Sequence, residues 1–314
     1  MPWVPELFSA PVLARLREKW QRDGLEAVSY FDGLTAGEPD ALVELFAGDP
    51  VLHDPVRGRI KGVRAFEAFV TEMNAWLAQR KASVEDVHYV ITEPRGFEEV
   101  VLHLQGETGR VDLPVAIVAD HKADGRIDEL RIYSSSWPLT GRHENRPPLL
   151  PPHPELRVSD VVAEYQRALS AGDVDAVVAS FEPDGYAREP AGGRYIHRGR
   201  DGLRAFYEHL FSNDGGIPLE HCALVDDGRA CALEYNVVRW GKADLPPQAG
   251  VAVYVRGKSG KLAAARIYDD AHPPLVSARS STGSSPVSSP FGGPALTGLE
   301  AAAISARSSF SAPM

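Results

Sequence analysis

Apolar side chains recur along this chain with two periods, and the change from one period to the other happens twice. Between Gly62 and Gln79 they fall at Val63, Phe66, Phe69, Val70 and Met73, a stripe that predicts an amphipathic helix. Leu25 to Ala36 and Pro39 to Ala47 carry helical patterns ahead of it. After it the period shortens to two. Residues 84–92, 99–106, 111–120 and 126–135 read as strands, and Asp124-Gly125 as the turn of the last hairpin. Helices followed by strands predict an α+β layer rather than an alternating parallel sheet.

Displaced by 135 positions, the sequence lies over itself. Tyr30 falls on Tyr165, Gly37 on Gly172, Phe46 on Phe181, Pro55 on Pro190, and Arg131-Ile132-Tyr133 on Arg266-Ile267-Tyr268. A two-residue insertion near AGGRYIHRG interrupts the second copy. Two tandem domains follow, over 25–137 and 160–274. The segment 138–159, with prolines at 147, 148, 151, 152 and 154, predicts an extended linker. Residues 1–24 form a helical extension opened by Ser9 and Pro11, and the Ser, Gly, Pro and Ala-rich tail 275–314 predicts disorder.

Charge and cysteine usage narrow the partners. The formal net charge is -10 and no basic run is present, which argues against nucleic acid and anionic membrane surfaces. No stretch approaches the roughly 20 apolar residues of a membrane span, and prolines at 2, 5 and 11 break any signal-type apolar core, so a cytoplasmic location is expected. Cys222 and Cys231 read as free core thiols, and Asp227-Gly228 as a hairpin turn between them. No Cys/His spacing suits a metal, and neither a metal nor an organic cofactor is expected.

The candidate chemistry lies in acidic residues that repeat. LHDP at 52–55 and AREP at 187–190 place Asp54 and Glu189 before a proline, where an acidic residue commonly starts a turn. In the strand SVEDVHYVIT, alternation puts Glu85 on the face of Val87, Tyr89 and Ile91; in the second copy it puts Glu220 with Cys222 and Leu224. A carboxylate on a buried face needs a partner or a proton, whereas a one-residue change of register would turn both glutamates to water. Two carboxyls sharing an apolar pocket would split into one protonated and one ionised group, an acid and a base at neutral pH. His53 reads as a wall residue, and Tyr133 and Tyr268 as packing residues.

Tyr30, Gly37, Asp54-Pro55, Ile60, Gly62 and Phe69, with Tyr165, Gly172, Glu189-Pro190, Gly199 and Phe206, form a pattern that resembles the nuclear transport factor 2-like superfamily, in its ketosteroid isomerase and SnoaL-like branch. The resemblance implies two cone-shaped domains, each with three helices on a curved antiparallel sheet around an apolar cavity. It further implies that Asp54 and Glu189 hold the general-base position and that Tyr30 and Tyr165 hydrogen-bond to the ligand. Where the isomerases keep a protonated acid, this chain has Ile117 and Ala252, which argues against steroid isomerisation. Glu85 and Glu220 are similar in layout to the second acids of polyether epoxide-opening cyclases, which also fuse two copies of this fold. Together these expectations describe a cofactor-independent acid/base enzyme for an apolar oxygenated small molecule, of isomerase, cyclase or epoxide hydrolase type. The alternative is a non-catalytic module that binds a hydrophobic ligand or a protein. In either case the two copies are expected to pair as an intramolecular pseudo-dimer.

Overall fold

The structure, a computed structural model, describes residues 42–92, 94–106, 109–192 and 195–271. The N-terminal extension, the first two helices of the first copy apart from a few residues, Tyr30 and the tail 275–314 lie outside the described residues.

In the first copy, β1 (Val51–Asp54) and β2 (Gly58–Lys61) precede α1 (Val63–Gln79). Four longer strands follow: β3 (Ser83–Ile91), β4 (Arg95–Gly106), β5 (Gly109–His121) and β6 (Ile127–Tyr133). After a short α2 (Trp137–Thr140), the second copy opens with α3 (Asp160–Ala171), α4 (Val174–Ala179) and β7 (Phe181–Arg188). It continues through β8 (Ile196–Arg198), α5 (Gly199–Leu210), β9 (Leu219–Asp226), β10 (Ala230–Trp240), β11 (Ala243–Arg256) and β12 (Leu262–Tyr268). Three helices and six strands in the second copy match the expected α+β layer. The stripe at 63–79 forms α1, with Phe66, Phe69, Val70 and Leu77 buried. The short strands β1 and β2 carry too few residues to show a period, which is why the pattern of apolar positions passes over them.

The two sheets have the same order, β2-β1-β6-β5-β4-β3 and β8-β7-β12-β11-β10-β9. Neighbours are antiparallel except for β1 with β6 and β7 with β12, so each sheet is mixed rather than wholly antiparallel. Glycines at the predicted turns adopt positive φ: Gly125 and Gly260 both at 80° and Gly228 at 83°. The segment RGKSGK is therefore the counterpart of the first copy's hairpin turn.

Each sheet has a concave face packed on its own helices and a back face packed on the other sheet. Leu52, Val100, Leu102, Ile117 and Leu130 line the concave face of the first sheet, beneath Phe66 and Phe69. The back faces meet through Phe97, Ala116, Val118, Val251, Val253 and Tyr268, among others. Strand β10 is consequently buried on both sides for eight consecutive residues, Ala230 to Val237.

Residues 141–159 contain neither helix nor strand, as the prolines require, but they are docked along the protein rather than held away as a spacer. Arg146 stacks on Tyr133 at 5.0 Å and donates to the carbonyls of Ile132 and His53, while its own carbonyl accepts from Ala249 of the second sheet. The carbonyl of Leu150 accepts from Asn236, and the N–H of His153 donates to His221. Cys222 and Cys231 are both buried and free. Among the described residues, no helix is long and apolar enough to cross a membrane.

Candidate active site

Asp54 and Glu189 share a position in the repeat but not a chemical situation. Asp54 is buried, and its Oδ1 accepts the N–H groups of Val56 at 2.9 Å and Arg57 at 2.7 Å. That closes the turn between β1 and β2, the local role expected of an acid before proline. Glu189 is one methylene longer and its turn holds the two-residue insertion. Its Oε1 reaches Nε2 of His197 at 2.6 Å, and the His197 ring stacks on Phe206 with centroids 4.1 Å apart. The Glu189 and His197 side chains are 14% and 28% exposed, which places the pair at the rim of the second copy's concave face.

The expected placement of Glu85 and Glu220 is corrected by a β-bulge in each third strand. The register of β3 against β4 shifts between Asp86 and His88, leaving Val87 as the extra residue. The register of β9 against β10 shifts so that Cys222 is the extra residue. Each bulge inverts the alternation. Glu85 therefore pairs with Val101 on the back face, where it is exposed and bonds Nε2 of His103 at 2.9 Å. Glu220 pairs with Asn236 and is likewise exposed. In the second copy the position turned to the concave face is His221, whose Nε2 lies 3.4 Å from Oε1 of Gln166. Neither glutamate shares a pocket with the acid before proline.

Tyr165 lies in the interior, with its hydroxyl 2.9 Å from that of Tyr207 and its ring 5.2 Å from Tyr254. Burial, partly offset by the Tyr207 hydrogen bond, pushes its hydroxyl up to about 12. Tyr254 accepts from Gln166 at 2.7 Å. These tyrosines pack the deep end of the second copy's core, and Tyr165 does not hydrogen-bond to Glu189.

The chemistry that sequence reading missed stands at the end of the last strand. Asp269 follows Ile267, which packs on the concave core, by two residues; Arg266, just before Ile267, pairs with Arg188, just before Glu189. The Tyr235 hydroxyl donates to Asp269 Oδ2 at 2.7 Å, and the N–H of Ala271 donates to Oδ1 at 3.2 Å. Tyr235 reaches Asp269 by lying across Gly250 of the strand between them. A Cβ on Gly250 would stand 2.7 Å from the tyrosine ring and 2.8 Å from Cβ of Asp269. Although partly exposed at its surface, Asp269 is desolvated by its neighbours. That burial, with the nearby Asp270 charge, outweighs the two hydrogen bonds and raises its carboxyl to about 6. Asp270 points to the other face. Burial would raise it too, but His143, Ser135, Ser136 and the N–H of Glu144 all bond to it and hold it below its ordinary value. One side chain further along, Gln248 is 4% exposed and its Oε1 meets no donor among the described residues.

Two signals pointed to this group. The Asp269-Asp270 pair directly follows the repeated Arg-Ile-Tyr, where the first copy has Ser134-Ser135, and His197 lies beside the insertion. In the first copy, Glu98 is 2% exposed and pairs with Tyr89 and Ile117, which places it on the concave face with Asp54; its counterpart in the second copy is Leu233. Among the described residues, no group of three or more His, Cys, Asp or Glu side chains gathers in a way that could hold a metal ion.

A sequence model of the SnoaL-like domain matches residues 27–130 and again 162–265. No curated protein matched the chain. Solved structures each match the equivalent of one copy. An NTF2-like protein of unknown function from Cytophaga hutchinsonii is 18% identical, with a TM-score of 0.29, over 37% of this chain and 94% of its own. A SnoaL-like protein of unknown function from Burkholderia thailandensis is 16% identical, with a TM-score of 0.30, over 35% and 92%. SalBIII, an epoxide hydrolase/cyclase-like enzyme of pyran ring formation in the polyether salinomycin, is 18% identical, with a TM-score of 0.28, over 38% and 90%.

Proposed function

Because the chain belongs to the SnoaL-like family, with one copy of the domain in each half, we propose that it is a cofactor-independent acid/base enzyme whose working site is the concave face of the second copy. The observation that carries this reading is the presence of two carboxyls of unlike environment on that face. Glu189 is hydrogen-bonded to His197 at the rim, and Asp269 is desolvated beside Tyr235. A carboxyl with a raised proton affinity and a second carboxyl held in place by a hydrogen bond on the same face are groups that paired acid/base chemistry can use.

In this reading Asp269, with its raised proton affinity, gives a proton to an epoxide or carbonyl oxygen of the substrate. Glu189, oriented by its hydrogen bond to His197, takes one from a hydroxyl, an acidic C–H or water. The substrate class that suits a concave face whose core is mainly apolar and whose polar groups gather at the rim is a small oxygenated hydrocarbon of polyketide or terpenoid type, and the reaction is an isomerisation, cyclisation or epoxide opening. The expected outcome is that Asp269→Asn and Glu189→Gln each lower turnover of an epoxide or β-dicarbonyl panel by about 10²- to 10⁴-fold, while Asp54→Asn, which keeps an acceptor for the turn, leaves turnover intact. Equal activity in all three variants would refute the assignment.

A second reading, non-catalytic binding of an apolar ligand, draws support from the partly exposed apolar residues packed on the same core, Phe206, Leu219 and Ile267. It predicts saturable binding of such molecules with no turnover, unaffected by Asp269→Asn.

A further inference from the structure

The seam between the two sheets is built from matching residues, but one half of it has an extra cation and lacks two acids that the other half has. In the first half, Arg131 gives Nε and Nη2 to the two carboxylate oxygens of Glu234, at 2.6 and 2.9 Å. Its Nη1 reaches Asp120 at 2.7 Å and Glu129 at 3.3 Å, and Glu129 lies 3.3 Å from His53. Tyr133 adds its hydroxyl to Glu234 at 2.6 Å.

The second half repeats the core of this arrangement with the copies exchanged. Arg266 gives Nε, at 2.8 Å, and Nη2 to Glu99, Tyr268 donates to Glu99 at 2.6 Å, and Nη1 of Arg266 reaches the Tyr186 hydroxyl at 3.1 Å. The acids are missing. The strand register places Val255 where the first half has Asp120, Ala264 where it has Glu129, and Arg188 where it has His53. Arg188 is 6% exposed and stacks on Tyr268 at 4.8 Å, and its Nε and Nη2 meet no acceptor among the described residues. Arg146, which stacks on Tyr133 in the first half, has two carbonyls to receive its N–H groups. Arg188 thus stands beside Arg266 on the same face as a second buried guanidinium, with no carboxylate bonded to it among the described residues, a costly arrangement.

We infer that this half of the seam binds a small oxyanion, a carboxylate or phosphate group, on the Nε and Nη2 edge of Arg188. That edge offers two parallel N–H groups matched to two oxygens of one anion. Arg131 and Arg266 hold Glu234 and Glu99 with the same two nitrogens, so the protein already uses this geometry twice within the same seam. The Tyr268 ring covers one face of the guanidinium, and the Nε and Nη2 edge is itself buried, so an anion reaching it would have to displace neighbouring side chains. The inference is independent of the acid/base reading, since Arg188 points to the back face and Glu189 to the concave one.

The test is calorimetric titration and thermal unfolding of the full chain with sodium phosphate, sodium acetate and sodium chloride at matched ionic strength. Phosphate or acetate should bind once per chain and raise the melting temperature as concentration rises, and chloride should not. Whichever of the two binds identifies the anion's source. Arg188→Gln should weaken binding at least about tenfold. Ala264→Glu, which supplies the carboxylate that Glu129 supplies in the first half, should raise the melting temperature and remove the anion effect. If Arg188→Gln does not fold, Ala264→Glu decides alone. Absence of anion binding by the natural chain, or binding that survives Ala264→Glu unchanged, overturns the inference.

Discussion

Asp269 and Asp270 are neighbours in the chain with opposite proton affinities, and the cause is the alternation of a strand. One side chain enters a desolvated face with a single side-chain donor, Tyr235, and the other meets His143 and two serines. The sign of the pH effect follows. Asp269 is raised from an ordinary value of about 3.9 to about 6, so the folded state holds its proton more tightly than the unfolded chain does. The stability this contributes is complete below about pH 4 and is lost as pH rises through about 6. Asp269→Asn should remove that slope, a difference of at most about 3 kcal/mol and less after solvent screening. Urea unfolding across pH 4 to 8 measures it, and turnover should fall through the same window if Asp269 is the donor. The residue types at this site were visible in the sequence. Their burial was not, because β12 ends one residue before Asp269 and periodicity has nothing to say about the residue after a strand.

Among the elements, the third strand of each copy decided where the repeated glutamates went. Alternation read from the sequence assumes an unbroken ladder, and a single extra residue, Val87 in β3 or Cys222 in β9, reverses every side chain on one side of it. No local signal marks those bulges: neither residue is a glycine, and both sit inside runs that suit a strand. Gly250, by contrast, has a legible structural reason once Tyr235 is seen lying over it. Gly250→Ala should push the ring off Asp269 and cost about 1–3 kcal/mol. Made in a Tyr235→Ala background, the same substitution should cost less, because the ring atoms are gone and only the Cβ of Asp269 remains to be struck. Equilibrium unfolding of the single and double variants forms the cycle that checks this.

For the whole molecule, the back-to-back sheets depend on two crossed ion pairs, Arg131 with Glu234 and Arg266 with Glu99, each completed by a tyrosine hydroxyl. Burial alone would lower the proton affinity of both arginines, but the facing carboxylates outweigh it and raise them. Removing either acid leaves a buried charge and should cost about 3–5 kcal/mol. The two losses should be unequal. After Glu234→Ala, Arg131 still has Asp120 and Glu129, whereas after Glu99→Ala, Arg266 retains, among the described residues, only Tyr186 beside a second cation. Glu99→Ala is therefore the more damaging, as denaturant midpoints of the full chain should show.

The duplication, the helix at 63–79 followed by four long strands, the hairpin glycines and the family followed from the sequence by itself, because each rests on local spacing that repeats at 135 positions. Tertiary structure alone decided which acids meet which partners. Asp54 closes a turn, Glu189 reaches a histidine, Glu85 and Glu220 turn outward at bulges, and Glu99 and Glu234 cross to the opposite copy. The physical reason is that a carboxylate's role is set by the donors and the dielectric around it, and those come from strands far apart in the chain.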